Sequence, residues 1–174
     1  MALDSPDYQL ERTIGSVEVR KYEPYLVAST RVSGSLQGAG NAGFGILARY
    51  IFGANDSGDG SSTKIAMTTP VIQVPDEESF TVRFMMPHDF TSESLPTPND
   101  DRVTLEEVGA QRLAALPYRG SWSKGLHDRN LRELRRTLDR EGLDTEGEPI
   151  WARYDPPWKP WFLRHNEVLL ALKD

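Results

Sequence analysis

Residues 149–170 read PIWARYDPPWKPWFLRHNEVLL, and this stretch decides how the chain is organised. Three prolines and two tryptophans fall within residues 156–161. Each proline fixes φ and removes a backbone donor, so this segment can form neither a helix nor a central strand. An alternating run precedes the segment and an apolar run follows it, as is typical of strands. The stretch therefore predicts a rigid aromatic corner between two strands, in which Trp158 and Trp161 cover either the protein's core or a ligand.

Length and composition exclude several classes of protein. The 174 residues fit a single domain, which we assign to residues 1–174. The chain has no cysteine, which excludes thiolate metal sites and cysteine nucleophiles. A net charge of −6 argues against a nucleic-acid-binding face. Because no signal peptide and no run of about 20 apolar residues is visible, we expect a cytoplasmic protein without a membrane span.

Hydrophobic periodicity and turn residues predict strands and two helices. Residues 36–52 carry apolar side chains at helical spacing after a capping serine, and residues 123–141 form the second helix, which Gly142 ends. The predicted strands lie near residues 8–14, 17–22, 25–33, 65–74, 80–86, 112–118, 151–154 and 168–172. Antiparallel strands with only two helices predict an α+β domain, in which a curved sheet or barrel is flanked by the helices.

The second half of the chain repeats the first at an offset of about 86 residues. Matched residues fall in the same strand, cap and helix positions, so we predict duplicated β-β-α-β-β halves, near residues 8–86 and 103–173. The identical pairs are Ala28 and Ala114, Gly34 and Gly120, Ser35 and Ser121, Arg49 and Arg135, Ala66 and Ala152, Pro70 and Pro156, and Val82 and Val168.

Residues 38–43 read GAGNAG, which fits the G-x-G-x-x-G pattern of dinucleotide-binding turns. That fold needs repeated parallel β-α-β units, whereas the strands that follow here are predicted to be antiparallel. We therefore interpret the glycines as positions of close packing on the first helix. The acidic residues Asp155 and Glu167 are interpreted as partners of nearby backbone and of Arg164, rather than as a catalytic pair.

Several motifs in order resemble the SOUL, or haem-binding-protein, family over nearly the whole chain. The motifs are VRKYEP (19–24), RYIFGAN (49–55), KIAMTTPV (64–71), FMMP (84–87), LPTPN (95–99), YDPP (154–157) and NEV (166–168). The resemblance implies a duplicated β-β-α-β-β fold that forms a distorted antiparallel barrel with two helices. It also implies binding of haem or another porphyrin in a shallow pocket between the first helix and the loop after the penultimate strand.

The same resemblance implies the residues of this pocket. Arg49 and Lys159 would pair with propionates, while apolar and aromatic side chains would cover the macrocycle. The implied residues are Asn41, Phe44, Ala48 and Arg49 on the first helix and Lys159 in the loop, beside the tryptophans Trp158 and Trp161.

The three histidines, His88, His127 and His165, show no metal-ligand spacing, so each is interpreted as a surface or hydrogen-bonding residue. One branch of the family has a histidine, proposed as an iron ligand, where this chain has Lys21. Axial ligation is therefore in question here, and His165 and His88 are the remaining candidates for the metal.

The predicted function is non-enzymatic binding of haem or another tetrapyrrole, as a carrier or buffer. Two alternatives from other classes stay open. One is an enzyme that acts on a tetrapyrrole or another hydrophobic small molecule. The other is a small-molecule sensing or protein-interaction module, because duplicated β-β-α-β-β domains resemble effector-binding domains of bacterial regulators.

Overall fold

The computed structural model describes residues 3–174, which form eleven strands and two α-helices. The strands are β1 (Tyr8–Ile14), β2 (Val17–Tyr22), β3 (Tyr25–Ser33), β4 (Asn55–Asp56), β5 (Val71–Asp76), β6 (Ser79–Met85), β7 (Thr97–Pro98), β8 (Thr104–Val108), β9 (Gln111–Arg119), β10 (Thr145–Arg153) and β11 (His165–Leu172). The helices are α1 (Leu36–Ile51) and α2 (Lys124–Arg140), and the hydroxyls of Ser35 and Ser123 cap their N-termini. Neither of these helices is long and apolar enough to span a bilayer.

Nine strands form one antiparallel sheet in the order β1-β2-β9-β11-β10-β5-β6-β3-β8. The strands β4 and β7 form a separate two-stranded ribbon. In the large sheet, β2 from the first half of the chain pairs with β9 from the second half. Conversely, β8 from the second half pairs with β3 from the first. The contact between β5 and β10 joins the two halves at the centre.

The expected distorted barrel is wrong, because the sheet is open. Within residues 3–174, the edge strands β1 and β8 do not pair with each other. The side chains of β1 are exposed at six positions out of seven, and β8 carries Glu106 and Glu107. Exposed edge strands that carry charged side chains resist pairing with another strand. Joining β1 to β8 would bury little apolar surface. The α+β assignment with antiparallel strands is confirmed.

The predicted duplication stays a prediction. The strands β3 and β9 have the same length and lie about 86 residues apart, in agreement with the repeat. The pairing of Ala66 with Ala152 fails, however, because Ala66 precedes β5 whereas Ala152 lies inside β10. The strand registers show the reason. Val82 lies opposite Gln73, whereas its match Val168 lies opposite Trp151. The connection between β10 and β11 is therefore longer than the one between β5 and β6, so a constant offset cannot match both strands of each pair.

The predicted strand at residues 65–74 begins only at Val71. The residues before it are held by single hydrogen bonds rather than by a ladder. The amide of Ile65 donates to the Ile51 carbonyl, and the Thr68 hydroxyl donates to the Met85 carbonyl. The predicted corner between two strands is confirmed, since β10 and β11 flank it.

Both helices cover the same face of the sheet. Side chains alternate along a strand, so Val17 and Val19 of β2 point into the core beneath α2 while Arg20 and Tyr22 point to the other face. A second core lies beneath α1 and includes Val82 and Phe84 of β6. Within the described residues, the opposite face of the sheet carries no α-helix.

Glycines let α1 approach the sheet closely, which confirms the packing interpretation. A Cβ atom built at Gly43 would lie 2.5 Å from Cγ2 and 2.7 Å from Cβ of Val82. One built at Gly40 would lie 2.6 Å from Oε1 of Gln73 and 2.8 Å from Nη2 of Arg153. The helix therefore sits at a separation that only glycine permits at these two positions.

We expect Gly43→Ala to lower the free energy of unfolding by about 1–3 kcal/mol, because the added methyl group overpacks the contact with Val82. The matched control is Gly45→Ala, since a Cβ at Gly45 would meet no described atom within 4 Å apart from its chain neighbours and the helix's own backbone. The control should raise stability by up to about 1 kcal/mol through helix propensity. Urea unfolding of both variants checks the pair, and equal effects at the two positions would contradict the close packing of α1.

Candidate functional site

The segment between β10 and β11 exposes large apolar side chains. Trp158 is 83% exposed and Trp161 is 60% exposed, and they are followed by exposed Phe162 and Leu163. A 3-10 turn at Trp161–Leu163 carries three of these side chains. The tryptophans therefore do not cover the core, which excludes the first of the two predicted roles, and cover of a ligand stays a prediction. We call residues 154–164 the aromatic loop.

Hydrogen bonds hold the aromatic loop in one conformation. The Asp155 carboxylate accepts from the Lys159 ammonium at 2.7 Å and from the backbone amide of His165. The Arg164 guanidinium donates to the carbonyl of Pro157 at 2.6 Å and to that of Lys159 at 3.0 Å. Because the loop is anchored at both ends, its tryptophans are presented to solvent without the entropy cost of ordering a flexible segment.

The Asp155 anchor makes the loop sensitive to acid. Burial by itself would raise the Asp155 pKa, but the hydrogen bonds from Lys159 and the His165 amide outweigh burial and lower it. A lowered folded-state pKa means that the stabilisation is fully present above the unfolded pKa of about 3.9 and is lost as pH falls through the folded value.

We therefore expect an acid transition of the loop tryptophans at a pH below about 4, measured by their fluorescence. In Asp155→Asn the transition should disappear, and the free energy of unfolding should fall by about 1 kcal/mol. The control Asp128→Asn removes an ion pair with Lys124 on α2 and should leave the fluorescence transition in place. An unchanged transition in Asp155→Asn would show that another group controls the loop.

A stack of cations and indole rings lies beneath the aromatic loop. The Arg164 guanidinium carbon is 4.2 Å from the Trp122 ring centroid, and that of Arg153 is 4.9 Å from the same ring. Arg153 also lies 4.0 Å from the ring of Trp151. Cation–π contacts of this kind are worth up to about 2 kcal/mol when they are desolvated. Sequence reasoning missed this stack, because its members come from three separate segments.

Arg153 is buried and has no carboxylate within salt-bridge distance among residues 3–174. Its guanidinium donates to Oε1 of Gln73 at 3.3 Å. Burial lowers its pKa to about 10. Because the same guanidinium borders Gly40, it connects the N-terminal half of α1 to the aromatic loop through Trp122 and Arg164.

The predicted residues of α1 fall on one side of the helix. Asn41 and Phe44 are exposed, and the Phe44 ring packs edge-on against Phe84 with centroids 5.3 Å apart. Ala48 is almost fully buried, so it can offer a ligand little surface. Arg49 lies at the C-terminal end of α1, in a surface depression that it shares with Asp100.

The stack connects Gly40 of α1 to the aromatic loop, but Arg49 lies beside Asp100 near the other end of the helix, and Lys159 is paired with Asp155. Trp158 and Trp161 are in the same loop as Lys159. A bound anion would therefore compete with Asp155 for Lys159, whereas the Asp100 carboxylate beside Arg49 is paired with Arg102.

The histidines lie away from the exposed face of α1. The His165 ring packs edge-on against Tyr154, 4.9 Å between centroids, on the face of the sheet that carries no helix. His88 lies beside the N-terminal segment, with Nε2 3.1 Å from the Ser5 carbonyl oxygen. His127 is buried against Trp151, which corrects its surface assignment, and burial lowers its pKa. No cluster of three potential metal ligands occurs in the described chain.

A second feature, which we call the cleft, lies on the helix-free face of the sheet and encloses about 230 Å³. Arg20 and Glu167 form an ion pair at its base, and Glu18 accepts from the same guanidinium at 2.8 Å. The phenol of Tyr154 donates to Glu167. The other wall residues include the polar side chains of Ser5, Arg83, Gln111 and His165. The aromatic and aliphatic ones include Tyr8, Tyr22, Tyr25, Ile72, Val108, Leu113, Ile150, Ala152 and Leu169.

Electrostatics in the cleft follow from burial. Burial raises the pKa of Tyr22 to about 12, and burial together with the adjacent Glu167 carboxylate raises the pKa of Tyr154. For Arg20, burial opposes the charge, but the hydrogen bond and charge of Glu167 outweigh burial and raise the pKa. The predicted partner of Glu167 was Arg164, so that assignment is wrong.

Comparison with known protein families identifies the family of this chain. The model of the SOUL haem-binding proteins matches residues 3–171. The chain belongs to the SOUL family. A search of curated protein sequences found no significant match.

Solved structures resemble this SOUL domain in fold. The C-terminal domain of EcmrR superposes with a TM-score of 0.70 at 12% identity, over 96% of this chain and 98% of that one. A hydrolase from Listeria innocua gives a TM-score of 0.61 at 14% identity, over 94% of each chain. SAV2435, solved with tetraphenylphosphonium bound, gives 0.51 at 10% identity, over 96% of this chain and 94% of that one. At these identities the likeness concerns the fold of the SOUL domain and not its activity.

Proposed function

We propose that this SOUL domain binds haem or another tetrapyrrole without catalysing a reaction, and acts as a carrier or buffer in the cytoplasm. The observation that carries the proposal is the anchored aromatic loop with its two exposed tryptophans, in a chain of the SOUL haem-binding family. A flat apolar macrocycle is the kind of ligand that exposed indole rings cover well. The loop side chains that face solvent are apolar, which supports a binder rather than a catalyst.

The proposed site combines the aromatic loop with the exposed side of α1. Trp158, Trp161 and Phe44 would cover the macrocycle. Asn41 to Arg49 extend about 12 Å along the helix, which suits an extended planar ligand. Arg49 and Lys159 would pair with propionates. Lys159 would exchange Asp155 for a ligand carboxylate, whereas the carboxylate beside Arg49, that of Asp100, is already paired with Arg102. Ala48 is nearly buried, so its small side chain would let the ligand lie close to the helix backbone but would offer little contact area.

Binding by shape and charge is proposed in preference to strong axial ligation. Lys21 stands at the position of the family's proposed iron ligand, and it is an exposed residue of β2. His165 and His88 lie on other surfaces. The macrocycle faces and propionates, rather than the iron, would then supply most of the affinity, and iron-free porphyrins would bind as well.

We expect the double variant Arg49→Met/Lys159→Met to bind haemin more than tenfold more weakly. Two partly desolvated charge-assisted contacts are worth roughly 1.5–3 kcal/mol each, and 1.4 kcal/mol is one decade of affinity. Methionine is chosen over glutamate because a new carboxylate at position 159 would repel Asp155 and disturb the loop. Titration of the Soret band measures the change.

The control is Arg136→Met, which removes an exposed cation from α2. Its haemin affinity should stay within twofold of that of the parent protein. If the double variant also stays within twofold, the propionates do not contact these cations and the proposed placement on α1 is contradicted.

A further inference from the structure

The cleft on the helix-free face has two ends that differ in their polar groups. Strand register places one row of residues across it, from β6 through β5 and β10 to β11: Arg83, Ile72, Ala152 and Glu167. Directly opposed residues of paired strands point to the same face of a sheet, and all four line the cleft. Three strand spacings of about 4.8 Å separate the backbones of Arg83 and Glu167 by about 14 Å. Arg83 therefore lies at one end, and the ion pair of Arg20 with Glu167 lies at the other.

The end formed by Arg20 and Glu167 is satisfied within the protein. The Glu167 side chain is buried, and its carboxylate lies against the Arg20 guanidinium and accepts from the Tyr154 phenol. Arg20 is buried as well and also pairs with Glu18. Within the described chain, Glu167 is the only acidic residue of the lining. The cleft therefore offers a ligand no acidic group that it can reach, which argues against a cationic ligand.

Arg83, at the other end, has a guanidinium that is incompletely paired. The carboxylate beside it, that of Glu106, lies 3.6 Å from Nε, beyond hydrogen-bond distance. Glu106 accepts from the Ser29 hydroxyl at 2.8 Å and does not line the cleft. The Nε atom of Arg83 is buried without a hydrogen-bond partner among residues 3–174, but the side chain as a whole is 29% exposed. A ligand would meet the two terminal Nη groups, whose donors match the two oxygens of a carboxylate.

Other donors line the cleft beside Arg83. Burial raises the pKa of the Tyr25 phenol, and the nearby charge of Arg83 opposes that rise without cancelling it. The phenol is therefore protonated at neutral pH and can donate to an anion. Gln111 carries an amide that can donate as well. The polar side chains that a ligand can reach in the cleft thus include a cation and neutral donors.

The floor between the two ends is apolar and small. Ile72 and Ala152 lie in the row between Arg83 and Glu167, and Val108 lines the side. The cleft volume of about 230 Å³ lies below the roughly 300–1,000 Å³ of pockets for drug-sized molecules. A single aromatic ring fits such a volume, whereas a tetrapyrrole does not. A ring that lies on this floor brings a carboxylate substituent to Arg83.

We infer that the cleft binds a compact aromatic carboxylate, with the carboxylate against Arg83 and the Tyr25 hydroxyl and the ring on the apolar floor. The charged residues of the lining, Arg20, Arg83 and Glu167, leave one positive charge in excess, in agreement with an anionic ligand. The inference does not rest on the proposed tetrapyrrole function, because none of the residues proposed to contact a tetrapyrrole lines the cleft. A failure of haemin to bind would leave the inference standing, and the converse also holds.

Three probes separate the contribution of the charge from that of the ring: benzoate, its neutral isostere benzamide, and acetate, which has the carboxylate but no ring. Titrations at neutral pH, followed by backbone amide shifts, should show benzoate binding at least tenfold more tightly than either of the others. The shifts should concentrate at cleft residues such as Ile72, Ala152 and Leu169. Benzamide or acetate binding as tightly as benzoate, benzoate shifts that lie outside the cleft, or no saturable shift with benzoate would overturn the inference.

A variant assigns the charge preference to one residue. Arg83→Gln keeps hydrogen-bond donors but removes the charge, so it should weaken benzoate at least tenfold and leave benzamide within twofold. The control Arg31→Gln removes a guanidinium from the neighbouring strand β3 that pairs with Asp76 and does not line the cleft, so it should change neither affinity. If Arg83→Gln proves unfolded, the probe series on the parent protein still decides the outcome. A folded Arg83→Gln that retains full benzoate affinity would contradict the role of Arg83.

Discussion

Replacing Glu167 with alanine is expected to lower the free energy of unfolding by about 3 kcal/mol, the low end of the range for breaking a buried ion pair. The change leaves Arg20 buried with only Glu18 as an acidic partner, and Glu18 is partly exposed. It also removes the acceptor of the Tyr154 hydroxyl. Urea unfolding followed by circular dichroism measures the loss.

Two further variants make this result specific. Glu141→Ala breaks the exposed pair with Arg12 and should cost less than about 1 kcal/mol. The double variant Arg20→Met/Glu167→Met removes both buried charges and should be more stable than Glu167→Ala, because the charge that then loses its partner, Glu18, is partly exposed. A Glu167→Ala protein within 1 kcal/mol of the parent would show that water or another group compensates Arg20.

Removing both exposed indoles, in Trp158→Ser/Trp161→Ser, is expected to weaken haemin binding about a hundredfold. An aromatic side chain that loses about 100 Å² of contact with a ligand loses roughly 2.5 kcal/mol, so two such losses exceed a hundredfold even after a substantial discount. Because both side chains are exposed, stability should change by less than about 0.5 kcal/mol. Soret titration gives the affinity, and thermal unfolding gives the stability.

The control Leu10→Ser removes an exposed apolar side chain from β1, far along the chain from the loop. It should leave haemin affinity within twofold of the parent value. A tryptophan double variant that still binds haemin within twofold would place the tetrapyrrole elsewhere on the protein.

Sequence reasoning reached the features that depend on local pattern. Proline spacing and flanking apolar runs predicted the corner between β10 and β11, and the serines at positions 35 and 123 mark the helix starts. The glycines of α1 were correctly assigned to packing. Local periodicity could not show that the sheet stays open, because closure depends on whether the edge strands β1 and β8 find each other.

Local sequence pattern could not predict the cleft either, because the cleft depends on which strands become neighbours in the sheet. Arg20 lies on β2 and Glu167 on β11, and the two strands are separated in the sheet by β9. Arg164 is close to Glu167 in sequence and was predicted to be its partner. The two side chains point to opposite faces of the sheet, and Arg164 packs against Trp122 instead. The loop residues were predicted on other grounds: Lys159 from the family resemblance, and Trp158 and Trp161 from the composition of the loop. The exposure of the two tryptophans is visible only in the structure.

The most direct measurement is a parallel titration of the protein with haemin and with iron-free protoporphyrin, followed by porphyrin absorbance and by tryptophan fluorescence. We predict saturable binding of both compounds with similar affinity, together with quenching of tryptophan emission that is lost in Trp158→Ser/Trp161→Ser. Similar affinity follows if the macrocycle and its propionates, rather than an iron ligand, provide the binding energy. The absence of any saturable spectral change with either porphyrin would contradict tetrapyrrole binding by this protein.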